Sequence, residues 1–308
     1  MKALEQLTVR ARSRIRQERA RFGLGGRPAR LVVRLDDLDA PGAVPAAALT
    51  VDGWFDAIVR VVEWSGALPV VVVSRPDHPH LAEIVRFAHR LECPTALRTA
   101  ASGLTAARAD ELVDCGLERV VLRVAGVSEG VQAAVLGETV ADTRRAIAAL
   151  REARESRAVA LDIVLEVPFS DRTAPELRAL FQEAGAVGVD GVVAAAPWVG
   201  GNYEPGSLEV LGWLQSQQVP LNRTPSTTFE LLRAMRGGGP GLARTRGACP
   251  VGTLQVELLP DGTLRSCPFK GDTATLGDDM EPAWKALAAH RDAIRACDRA
   301  CAHPLLSS

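Results

Sequence analysis

From Leu31 onward, short apolar and β-branched runs alternate with stretches in which apolar residues return at helical spacing. The runs are Leu31–Leu35, Val70–Ser74, Thr95–Thr99, Arg119–Val124, Val159–Val167 and Val189–Ala195. Their length and residue types predict strands. The intervening stretches carry helix punctuation. Trp54, Phe55, Ile58 and Val62 share a stripe that runs into Gly66, which suits a left-handed helix end. Leu81, Ile84, Val85 and Ala88 form the next stripe, Thr105 is placed to cap a third helix, and Gly116 to end it. Thr139 with Asp142 reads as a capping pair ahead of Ile147 and Leu150. Thr173 with Glu176 reads as a capping box leading Leu177, Leu180 and Phe181 towards Gly185. Leu208, Leu211 and Leu214 mark a sixth helix.

Strict strand–helix alternation predicts an α/β fold of parallel strands joined by right-handed crossovers. The pattern does not by itself distinguish an open doubly wound sheet from a barrel. No G-x-G-x-x-G follows the first strand, which argues against a dinucleotide-binding sheet. The rhythm breaks at Arg236–Gly247, where Gly237, Gly238, Gly239, Pro240 and Gly241 predict a flexible linker. Beyond it, Leu254–Leu259 and Thr263–Cys267 predict a hairpin about the turn Pro260-Asp261-Gly262. Pro282 suits the first turn of a helix bearing Trp284, Leu287 and Ile294. The expected organisation is therefore a basic N-terminal helix over 1–30, a strand–helix domain over 31–236 and a small α+β domain over 237–308.

Composition narrows the function. A chain of 308 residues, 47% hydrophobic and 24% charged, is long enough for one large core plus an appendage. A formal net charge of −1 supplies no global field for nucleic acid or an anionic membrane, and one Tyr offers little stacking surface. No apolar run approaches the roughly 20 residues of a membrane span. Met1–Arg30 is rich in Arg without a continuous apolar stretch, unlike a secretory signal. A cytoplasmic location is expected.

Of six cysteines, Cys93 and Cys115 are scattered and read as packing residues. Cys249, Cys267, Cys297 and Cys301 crowd into the last sixty positions, which favours a shared four-thiolate metal site. At i and i+4, Cys297 and Cys301 fall on one face if the helix reaches them. Four buried thiols or two disulfides are the alternatives. By spacing alone, zinc and an iron–sulfur cluster both accept four thiolates.

Cys249-x12-Gly262-x4-Cys267, the P-D-G turn, Cys267-Pro268, Leu276-Gly277, the helix with Trp284 and the final Cys-x3-Cys together resemble the SPASM and twitch domains of radical S-adenosylmethionine enzymes. The resemblance implies one auxiliary [4Fe–4S] cluster on Cys249, Cys267, Cys297 and Cys301, with zinc as the alternative. It also implies a partial (β/α)6 TIM-like barrel followed by a twitch/SPASM-like domain. His78 to Ile84 resembles the segment after the family's second strand, Gly137 to Leu150 the helix after the fourth, and Val187–Ala194 the approach of the sixth.

Departures from the family pattern fall at its cofactor-binding positions. Where the family places C-x3-C-x2-C, this chain has Arg34-Leu35-Asp36-Asp37-Leu38-Asp39-Ala40-Pro41. The G-G-E-P, T-N-G and S-x-D-G elements are replaced by Val73-Ser74-Arg75-Pro76, Thr99-Ala100-Ala101 and Arg123-Val124-Ala125-Gly126. S-adenosylmethionine is therefore not expected as a cofactor. The resemblance then implies a degenerate accessory subunit that presents substrate or relays electrons, partnering a competent radical S-adenosylmethionine enzyme or a peptide substrate. Two other readings remain: a stand-alone enzyme using Asp36, Arg75 and Glu166 at the barrel mouth, or a structural zinc scaffold. Asp36, Asp37 and Asp39 suit either a hard cation or a turn before Pro41. His78-Pro79-His80 reads as a loop entering a helix, and Trp198, Asn202 and Tyr203 as rim residues.

Overall fold

The computed structural model describes residues 28, 30–36, 48–66, 68–73, 75–91, 93, 95–168, 170–195, 255–266, 273–277 and 279–289. The architecture is mixed α/β, built on a sheet of mostly parallel strands that does not close on itself. The chain divides into two compact units.

The first unit contains β1 (Arg30–Arg34), α1 (Val51–Ser65), β2 (Leu68–Val72), α2 (Leu81–Arg90) and β3 (Ala96–Thr99). It also takes in β7 (Gln255–Leu258), β8 (Thr263–Arg265), β9 (Thr273–Thr275) and α7 (Met280–Ala289). β1 pairs in parallel with β2, and β2 with β3. The hairpin predicted about Pro260-Asp261-Gly262 forms, with the Gly262 N–H donating to the Leu259 carbonyl and Gly262 at φ +82°. Its strand β7 is not free-standing. It runs parallel to β1, in register Val32↔Glu257, so the C-terminal strands continue the sheet that β1 begins. β8 and β9 then extend it antiparallel.

α1 starts where the Thr50 hydroxyl accepts the Gly53 N–H at 3.2 Å, and stops at Gly66 in the left-handed conformation, as its stripe predicts. Trp54, Ala57, Ile58 and Val61 are buried on it. Phe55 stacks on Phe87 of α2 with ring centroids 4.1 Å apart, and Trp64 meets Trp284 of α7 edge-on at 6.0 Å. The Trp64 indole N–H also donates to Glu281. α7 is thereby tied to α1 by an aromatic contact with a polar handle.

The second unit contains α3 (Ala106–Asp114), β4 (Arg119–Arg123), α4 (Glu129–Leu136), α5 (Val140–Arg157), β5 (Asp162–Pro168), α6 (Leu177–Val187) and β6 (Gly191–Ala195). β4, β5 and β6 are parallel neighbours. Two helices, not one, follow β4, separated at the left-handed Gly137. Thr139 and Asp142 form the capping box of α5 in full. The box expected at Thr173 does not form. Thr173 turns its hydroxyl to the Pro168 carbonyl at 2.6 Å, and a short 3-10 turn leads into α6. That helix ends at Gly188 (φ +77°) rather than Gly185, one turn further along.

Among the described residues no helix is long and apolar enough to cross a membrane.

Candidate functional site

Side chains alternate across a strand, so β1 has two different faces. Leu31, Val33 and Leu35 occupy one and are 0–1% exposed. Arg34 and Asp36 share the other with Val32, and both are buried at 8% and 3% exposure. Parallel register places Glu257 of β7 beside Val32, and antiparallel register places Arg265 of β8 opposite Glu257. Three strands therefore bring three charged groups together. Glu257 is fully buried. Its Oε2 accepts Arg34 Nε at 3.1 Å, Arg265 Nε at 3.1 Å and Arg265 Nη2 at 2.8 Å, while Oε1 accepts Arg34 Nη2 at 3.4 Å. Burying a carboxylate without a partner is prohibitive, and two guanidinium forks offset that cost here. Their association was not legible in the sequence, because Arg34 and Glu257 lie 223 positions apart.

In the second unit the loops after β3 and β4 are each closed by a carboxylate from elsewhere. Glu138, 8% exposed, accepts the N–H groups of Ala101 (3.4 Å) and Ser102 (3.2 Å) and the Ser102 hydroxyl (2.7 Å). Glu176 accepts the N–H groups of Val127 (2.9 Å) and Ser128 (3.0 Å) and the Ser128 hydroxyl (3.0 Å). Gly126 makes the approach of Glu176 possible: a Cβ there would lie 2.7 Å from the Glu176 side chain. The Ala125 N–H donates to Gln132 Oε1 at 2.8 Å, and the fully buried Gln132 passes its own amide N–H to Thr143 at 3.2 Å. The N–H groups of Ala101, Ser102, Ala125, Val127 and Ser128 are thus satisfied from within the chain.

Of the residues singled out by sequence, Asp36 ends buried just past β1. Arg75 is half exposed after β2, paired with Asp77 at 3.0 Å. Glu166 is buried in β5, in register with Arg123 of β4. Cys93 and Cys115 are buried, as packing residues should be, and Cys115 accepts an N–H from Arg86 at 3.2 Å. In the prolyl segment His78 Nδ1 accepts the His80 N–H at 3.2 Å, and the His78 carbonyl accepts the Leu81 N–H, a turn that launches α2. Cys249, Cys267, Cys297 and Cys301 lie outside the described residues, as do Asp37, Asp39, Trp198, Asn202 and Tyr203. Among the described residues no group of three or more His, Cys, Asp or Glu is arranged to hold a metal ion.

One solved structure similar to this chain is SuiB from Streptococcus suis bound to S-adenosylmethionine, at 12% identity, TM-score 0.63, covering 92% of this chain and 73% of that one. SuiB bound to its precursor peptide SuiA matches at 11% identity and TM-score 0.64, over 92% of this chain and 74% of that one. Native anSMEcpe with bound S-adenosylmethionine matches at 12% identity and TM-score 0.52, over 83% of this chain and 79% of that one. The fold is the radical S-adenosylmethionine fold. No protein-family model matches the sequence, and no curated protein matches it. At these identities the likeness is one of fold.

Proposed function

We propose that this chain is a catalytically degenerate radical S-adenosylmethionine homologue that keeps one auxiliary [4Fe–4S] cluster and serves as an accessory subunit. Its partner is a competent enzyme in peptide or natural-product maturation, to which it presents substrate or relays electrons. The observation that carries the reading is the chemistry at the end of β1. The positions where the family sets three thiolates are filled from Arg34 to Pro41 without a cysteine, and the described part presents a guanidinium and a buried carboxylate. Carboxylate oxygens are hard ligands suited to Mg or Ca, not to an iron–sulfur cluster. The residues present do not fit a cluster that would bind S-adenosylmethionine.

The loops support the same reading. In 123–126, which stands where the ribose-contacting segment is expected, Ala125 gives its N–H to Gln132. The next two N–H groups, of Val127 and Ser128, go to Glu176. These donors are already engaged by the protein, so a nucleoside would have to displace a carboxylate to reach them.

The auxiliary cluster rests on the spacing of Cys249, Cys267, Cys297 and Cys301 and on one feature of β8. Ser266, directly before Cys267, is 1% exposed, and its hydroxyl has no hydrogen-bond partner among the described residues. A buried hydroxyl without an acceptor is costly, and cluster sulfurs are acceptors. When bound, such a cluster supplies one-electron transfer or structural cross-linking, because four thiolates leave no iron open. The link to peptide maturation is drawn from SuiB, a neighbour of similar fold that binds its precursor peptide.

Anaerobic purification followed by iron, sulfide and zinc analysis tests the cluster. About four irons per chain are expected. Stoichiometric zinc without sulfide would replace this reading by a structural zinc scaffold. Co-purification with a competent radical S-adenosylmethionine enzyme tests the accessory role, which a chain that never associates with one would contradict.

A further inference from the structure

We draw no further inference here: the strongest candidate, the buried Ser266 hydroxyl just past β8, belongs to the auxiliary-cluster site already proposed, and the cysteines it would serve lie outside the described residues.

Discussion

Glu176 accepts hydrogen bonds from two backbone N–H groups and one hydroxyl of a loop nearly fifty positions away, and it does so across a glycine. In Glu176→Ala those donors lose their acceptor, at a cost of about 1–3 kcal/mol. The Val127 and Ser128 amides should then exchange with solvent much faster, and hydrogen exchange that stayed as slow as in the parent would refute the contact. Asp142 offers a second test at this scale. The Thr139 hydroxyl, then the Thr139 N–H and Arg145, hold its carboxyl below the usual carboxylate value, against a smaller opposing effect of burial. A lowered folded value means the contribution to stability is present above the unfolded pKa of about 3.9. It fades as pH falls through the folded value. In Thr139→Ala the Asp142 titration midpoint should move up, and helix α5 should lose about 1 kcal/mol of capping. Carboxyl-carbon resonances read the midpoint directly; an unmoved midpoint would count against the assignment.

Elements show where local signals suffice. Thr139 with Asp142, and Gly66 at the end of α1, were legible because a cap is closed within four residues. Glu176 had the same local signature and misled, because donors from another loop claimed its carboxylate. The hairpin of β7 and β8 was legible from Pro260-Asp261-Gly262, but its parallel docking on β1 was not, since no local pattern specifies a strand's distant neighbour. Glu138, Gln132 and Glu257 were missed for the same reason: each acts on residues that only the fold brings near. Gly116 couples two elements in the first unit. It adopts φ +90°, and a Cβ there would lie 2.3 Å from the His89 ring of α2. Gly116→Ala should therefore destabilise the protein by about 1–3 kcal/mol, through both backbone strain and displacement of the ring. Chemical denaturation measures this, and a change under about 0.5 kcal/mol, the usual range at an unconstrained surface position, would mean the ring yields freely.

For the whole molecule, the fold is shared with the solved structures, while the residue types at the end of β1 differ from the C-x3-C-x2-C pattern. The βα rhythm and the sheet are those of the radical S-adenosylmethionine fold. The end of β1 has no thiol, and the loops after β3 and β4 bind their own chain. Much of this was legible in the sequence, because a missing C-x3-C-x2-C is a statement about residue types. The internal closure of the loops was not, because it depends on contacts such as Ser102 to Glu138, 36 positions apart. The measurement that bears most directly on the degenerate reading is an anaerobic incubation of the iron-loaded protein with S-adenosylmethionine and a strong one-electron reductant. Assayed for 5′-deoxyadenosine, it should yield none above the protein-free control. Any protein-dependent 5′-deoxyadenosine, or about eight irons per chain in place of about four, would contradict the account.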